Sequence, residues 1–180
     1  MTCIIGLVED GKVYIAGDSA GVAGFDYHIR EDQKVFKNGE MIFGFTSSFR
    51  MGQLLQYSLK IPDHDPRVGD FKYLCTDFID AVISCFKEKG YARTESGEVS
   101  GGQFLIGYKG NLYFVGCDFQ IAKVSRPFDS VGCGMYYALG AMDILYNDST
   151  ITAEEKLVKA LTTVQDFSAG VRAPFNIVSI

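Results

Sequence analysis

The order in which two hydrophobic periodicities follow one another limits the fold of this 180-residue chain more than any other feature. Short apolar runs come first. Residues 3–8 (CIIGLV) and 12–17 (KVYIAG) flank Glu9-Asp10-Gly11, a polar break suited to a hairpin. After a Gly-rich stretch, Lys34 to Phe36 and Met41 to Phe45 flank Lys37-Asn38-Gly39-Glu40, whose Asn38-Gly39 pair tolerates the positive φ of a type I′ turn. From Ser47 the spacing becomes helical. Met51, Leu54, Leu55 and Leu59 share one face up to Ile61-Pro62, and Phe71, Leu74, Phe78, Val82 and Phe86 mark a second, longer amphipathic helix up to Gly90. The polar stretch 91–102 is expected to be a mobile connection. Phe104 to Tyr108 and Leu112 to Cys117 then bracket a turn at Lys109-Gly110-Asn111, and short strands are expected near Ala122 and Ser130. A second helix pair follows, Met135 to Tyr146 and Thr152 to Phe167, where Ile151-Thr152-Ala153-Glu154-Glu155 carries an N-cap signal and early acidic residues. Phe175 to Ile180 reads as a last strand. Helices that come in pairs do not alternate with strands, which excludes a doubly wound parallel sheet. The order predicts an α+β chain: a four-layer αββα sandwich, two sheets face to face with a helix pair outside each. No repeat, low-complexity tract or linker divides residues 1–180, so one domain is expected.

Composition mainly excludes. A net charge of −5 leaves no broad basic field for phosphate backbones or anionic lipid, so no nucleic acid or membrane partner is expected. The five cysteines, 3, 75, 85, 117 and 133, form no C-x-x-C pair, and the two histidines, His28 and His64, lie far apart. Neither a metal nor a histidine-based catalyst is expected. No apolar run is long enough to span a bilayer, and a reducing, cytoplasmic location is expected.

Thr2 is the first candidate for chemistry, because a small second residue favours removal of Met1. The new terminus then holds a hydroxyl and a free α-amine, a nucleophile and its base in one residue. An α-amine titrates near roughly 7.7 to 8.0, so a modest downward shift supplies the neutral base at physiological pH.

The opening MTCIIGLVEDGKVYIAGDSAG resembles that of proteasome β-subunits and of the bacterial proteasome-like peptidase that partners an unfoldase. It is more similar still to small proteasome-like proteins of bacteriophage and actinobacterial genomes. Asp18 and Lys34 fall at that family's spacing from the terminal threonine. Ser130-Val131-Gly132-Cys133-Gly134 and the following Tyr136-Tyr137-Ala138-Leu139-Gly140 resemble its G-S-G turn entering a helix. The resemblance implies the N-terminal-nucleophile hydrolase fold and a threonine-type peptidase that works without metal or cofactor. Its substrate would be a peptide or unfolded protein, cleaved through an acyl-enzyme ester. Lys34 would lower the pKa of the α-amine and Asp18 would hold Lys34 charged. The backbone N–H of Gly44 would be the oxyanion donor. The resemblance further implies a homo-oligomeric ring and admits an ATP-dependent unfoldase as partner. A specificity pocket is expected near Gly21, Phe36, Ile42 and Thr46.

Each residue also has a plainer reading. Threonine is common at position two, Asp18 beside Gly17 suits a turn, Lys34 suits a solvated strand, and Gly44 suits a tight strand exit. The three polar residues in register favour the catalytic reading. Cys133 stands where the family has serine; a weakened or tuned site and a small buried residue at a helix start both remain open. Asp166-Phe167-Ser168-Ala169-Gly170 is one residue shorter than the family's D-x-x-S-G-G, so Asp166 and Ser168 are either site residues or helix-terminal caps. Cys3 is expected in the core, on the strand face opposite Thr2. The alternative function is a catalytically silent structural or assembly protein, such as a phage particle component, that keeps the fold.

Overall fold

Asp10 and Gly11 both take positive φ (50° and 75°), and these two left-handed residues turn β1 (Cys3–Glu9) back into β2 (Lys12–Gly17). The computed structural model describes residues 1–180. The Gly-rich stretch that follows is a hairpin of its own, β3 (Ala20–Ala23) and β4 (Asp26–Ile29). β5 (Val35–Asn38) and β6 (Met41–Phe45) join through Gly39-Glu40, where only Gly39 has positive φ (57°). The turn thus lies one residue beyond the expected Asn38-Gly39 pair. Asn38 stays in the strand, where its side-chain amide donates to the Leu55 and Leu59 carbonyls at 2.9 and 3.3 Å.

Ser48 caps α1 (Phe49–Tyr57), its hydroxyl oxygen accepting from the Arg50 N–H at 3.1 Å. α2 (Asp70–Tyr73) runs through a π-helical turn, Leu74–Phe78, into α3 (Ile79–Glu88). The wider turn rotates the apolar face. Tyr73 and Ile79 are buried, whereas Phe71, expected on that face, is exposed and stacks on Tyr113. The expected mobile connection instead forms a short hairpin, β7 (Arg93–Glu95) and β8 (Glu98–Ser100), turned by the positive φ of Ser96 and Gly97. Next come β9 (Phe104–Tyr108), β10 (Asn111–Val115), β11 (Ile121–Lys123) and β12 (Phe128–Gly132). α4 (Met135–Leu145) leads to α5 (Ala153–Phe167), where Thr152 and Glu155 close a capping box, and β13 (Asn176–Ser179) ends the chain.

One sheet has the order β12-β1-β2-β13 and the other β11-β10-β9-β6-β5, all pairings antiparallel. Alternation along β1 shows how they stack. Cys3, Ile5 and Leu7 face α4 and α5 with Leu157, Leu161 and Val164, while Ile4 faces the other sheet with Ile15, Val35, Ile42 and Leu105. On the far side, Phe43, Phe104 and Tyr108 meet Leu54, Phe78 and Phe86 of the first helices. The arrangement is the expected αββα sandwich. No helix is long and apolar enough to cross a membrane.

Candidate active site

β2 is paired on both sides as far as Gly17, and the next residue, Asp18, is sealed from solvent where the ladders end. A buried carboxylate needs donors on every lone pair, and Asp18 has four. Oδ1 accepts from the Cys3 N–H at 3.0 Å and from Lys34 Nζ at 2.9 Å. Oδ2 accepts from the Ala20 N–H at 3.0 Å and the Arg172 N–H at 3.4 Å. One side chain thereby gathers the start of β1, the start of β3, the residue before β5 and the segment before β13. Lys34, also buried, donates to the Ala20 carbonyl at 2.6 Å and lies 5.6 Å from the Phe49 ring centre. Burial pushes its ammonium below the ordinary lysine range, and Asp18 opposes that shift.

Thr2 is buried and held through its backbone by Gly132-Cys133-Gly134. Gly132 has φ +104°, and a Cβ there would lie 2.2 Å from the Thr2 carbonyl oxygen, so the close approach requires glycine. Gly134 N–H donates to that carbonyl at 3.4 Å, and Thr2 N–H donates to Cys133 Sγ at 3.3 Å. The exposed Cys133 thiol also lies 3.5 Å from the Thr2 carbonyl oxygen and 3.7 Å from Ser168 Oγ. The Thr2 hydroxyl donates to the Met1 carbonyl, and the Met1 side chain lies against Gly170. A small cavity of about 70 Å³ opens here, lined by Thr2, Val22, Thr46, Ser47, Ser48 and Phe49 among others.

Thr2, Asp18, Lys34 and Cys133 therefore come together; Gly44 and Asp166 do not join them. N–H groups along a strand alternate in direction. The Phe45 N–H bonds Lys34 of β5's side and the Thr46 N–H bonds Gln103 of β9's side, so the Gly44 N–H, two residues before Thr46, points into the β9 ladder. A Cβ on Gly44 would lie 2.5 Å from Ile4 and Ile15, which marks it as a close contact between the sheets. Asp166 is exposed on the last turn of α5 and makes no side-chain hydrogen bond, while its neighbour Ser168 is the C-cap residue and reaches Cys133. Of the expected pocket residues, Ile42 packs between the sheets and Phe36 with the helix-side aromatics, which leaves Thr46 on the cavity and Gly21 against Arg30 and Phe49. Cys3 lies in the core, and burial lifts its thiol to about 12, which rules out a thiolate there at neutral pH.

Residues 47–49 and Arg172 were not singled out from the sequence. Ser47 has φ +71°, and the Ser47 and Phe49 N–H groups find no acceptor within the chain, so they stay unpaired at the end of α1, where both residues line the cavity. The available signal was Thr46-Ser47-Ser48, an N-cap cluster just ahead of a helical periodicity. Arg172 Nη1 donates to the Gln165, Ser168 and Val171 carbonyls, closing α5 and fixing the loop that carries Ser168.

Neither a protein-family model nor a curated protein sequence matches the chain. Solved structures do. The chain is similar to Thiobacillus denitrificans BPH in complex with epoxomicin, at 21% identity and TM-score 0.82, over 99% of this chain and 97% of that one. It is similar to eukaryotic HslV from Trypanosoma brucei at 14% identity and TM-score 0.70, over 98% of both chains. An Anbu (Gly-1) mutant from Hyphomicrobium sp. strain MC1 aligns at 13% identity and TM-score 0.69, over 100% of this chain and 82% of that one. The fold is that of the proteasome-like N-terminal-nucleophile hydrolases.

Proposed function

We propose that the chain is a threonine-type peptidase that uses Thr2 as its nucleophile once Met1 has been removed. One observation carries this reading: Asp18 Oδ1 joins the Lys34 ammonium to the Cys3 amide, the peptide unit that Thr2 itself forms. The α-amine freed by loss of Met1 takes the hydroxyl proton as Thr2 Oγ1 attacks a substrate carbonyl. Lys34 favours the neutral amine by like-charge repulsion, and Asp18 keeps Lys34 charged and oriented. The unpaired Ser47 and Phe49 amides, at the positive end of α1, stabilise the oxyanion in the role expected of Gly44. The amine returns the proton to the leaving amide nitrogen, an acyl ester forms on Thr2, and water activated by the same amine releases the acid. Cys133 positions the Thr2 nitrogen.

As the resemblance of the opening to the proteasome family implies, the substrates are peptides or unfolded proteins, and copies assemble into a ring that an ATP-dependent unfoldase can feed. Intact mass and hydrolysis of fluorogenic peptides test the chemistry together. The expected result is loss of one methionine, hydrolysis abolished in Thr2→Ala, and inhibition by epoxomicin, the compound bound to the Thiobacillus protein. Active protein that retains Met1, or an active Thr2→Ala variant, would overturn it. The second reading is a structural component with this fold: a chain that keeps Met1, so that its Thr2 nitrogen stays acylated, and that hydrolyses nothing.

A further inference from the structure

The β3–β4 hairpin is a two-stranded sheet that joins no other, and β4 is exposed along its whole length. Hairpins of that size are marginal in water without a surface to pack on. Its tip carries Phe25, whose exposure of 107% leaves the ring entirely in solvent, and Tyr27 and Ile29 are about half exposed (51% and 49%). Asp26, beside Phe25, has no basic partner in the chain.

The hairpin sits at one flank of the sandwich. It leads into β5, the edge of its sheet, and its base is tied to the approach of β13, the edge of the other sheet. Ser19 Oγ donates to the Pro174 carbonyl at 2.7 Å, the Ser19 N–H donates to the Arg172 carbonyl at 3.0 Å, and the Arg172 guanidinium lies 5.7 Å from the Tyr27 ring. The opposite flank is formed by β11 and β12, the other two edge strands. There a cavity of about 560 Å³ opens between these strands and α4, walled by Phe114, Ala122, Phe128 and Leu139 on its apolar side and by Arg126, Asp129 and Asp143 beside them. Lys123, at its rim, has no acidic partner in the chain, whereas the neighbouring Arg126 is paired with Asp143.

We propose that the β3–β4 hairpin of one copy docks into the β11/β12 cavity of the next copy, with Phe25 in the apolar walls and Asp26 against Lys123. Knob and hole occupy opposite flanks, so the contact is head-to-tail, and such contacts repeat around a ring when the rotation closes. An unpaired anion beside the knob and an unpaired cation beside the hole give the contact its register. The inference rests on the ring assembly proposed above and names the surfaces that make it. It also places a partner's strand edge next to β3, whose Val22 lines the Thr2 cavity.

Light scattering after size exclusion, across a concentration series, tests it alongside crosslinking. The wild type is expected to be larger than a dimer, and Phe25→Asp, at a fully exposed site, should raise the half-dissociation concentration by about tenfold or more. Asp26→Lys and Lys123→Asp should each weaken assembly, and the double exchange should restore it. Oxidation of a Phe25→Cys, Ala122→Cys variant should give a ladder of trimers and larger species absent from either single variant, because each copy carries one knob and one hole. A ladder that stops at dimers, or an assembly untouched by Phe25→Asp and by both charge exchanges, overturns the hairpin contact and leaves the ring standing. Wild-type protein that is monomeric at every concentration overturns both, and peptide hydrolysis by such a monomer would leave only the Thr2 chemistry.

Discussion

Lys34 and Asp18 form an ion pair at 2.9 Å in which neither side chain exposes more than 1% of its surface. Such a pair is expensive to break from one side only, because the surviving partner keeps its desolvation cost. The two partners are not equivalent. Removal of Asp18 orphans the Cys3, Ala20 and Arg172 amides along with the Lys34 charge, whereas removal of Lys34 leaves the carboxylate its three amide donors. Asp18→Ala is therefore expected to cost about 3–5 kcal/mol, more than Lys34→Met. Urea unfolding of both variants checks the order, and equal losses would contradict it.

The lowered ammonium of Lys34 sets the alkaline behaviour. Hydrolysis should fall as Lys34 loses its proton, with a midpoint below the ordinary lysine value of 10.5. Stability moves the other way. Between the lowered native value and 10.5 the unfolded chain binds the proton that the native chain has released, so stability contributed by this residue rises with pH through that window. Rate profiles and thermal melts at matched pH should diverge there. A Lys34→Arg variant that folds should lose the alkaline limb, since guanidinium does not titrate in that range.

Gly132→Ala is expected to destabilise by about 2 kcal/mol or more, because it adds a strained positive φ to a collision with the Thr2 carbonyl. The collision also shifts the backbone of Thr2, so hydrolysis should fall further than the loss of folded protein explains. Activity per folded molecule, with the folded fraction from circular dichroism, is the quantity to compare.

Cys133 offers a chemical test of the same turn. Its exposed thiol lies 3.3 Å from the Thr2 nitrogen, so alkylation places a new group against the proposed base. Iodoacetamide should lower hydrolysis by about tenfold or more, since small displacements of catalytic groups are costly. Cys75 and Cys117 are also exposed and will react, but Cys133→Ser should keep its activity and, unlike the wild type, resist the reagent. Equal inactivation of that variant would assign the effect elsewhere.

Three of the proposed site residues were legible because the opening resembles a known family whose spacing they match, along strands regular enough to keep that spacing. Thr2 precedes β1, Asp18 follows β2, and Lys34 precedes β5, each one residue outside a strand whose apolar alternation is plain. Gly44 was read as a donor because the family resemblance places one there, yet its N–H direction depends on which neighbour occupies each side of β6. Asp166 was read from a motif in a helix that ends one residue later, and the helix turns that side chain outward. The π-helical turn likewise changed which aromatics are buried, exposing Phe71 and burying Tyr73.

The sequence by itself determined the main strands and helices, their order and hence the αββα layering, because periods of two and of 3.6 residues are local properties that need no knowledge of a partner. The resemblance of its opening to a known family, and no periodicity, pointed to Thr2, Asp18 and Lys34 as one constellation. Only the tertiary structure decided which backbone amides near Thr2 remain unpaired, that Gly44 serves the contact between sheets, and that the Gly-rich stretch after Asp18 projects as a hairpin on the flank opposite a cavity with apolar and charged walls. Those outcomes depend on pairing between residues distant in sequence, and no local pattern records which hydrogen bonds or surfaces are left over once the strands have paired.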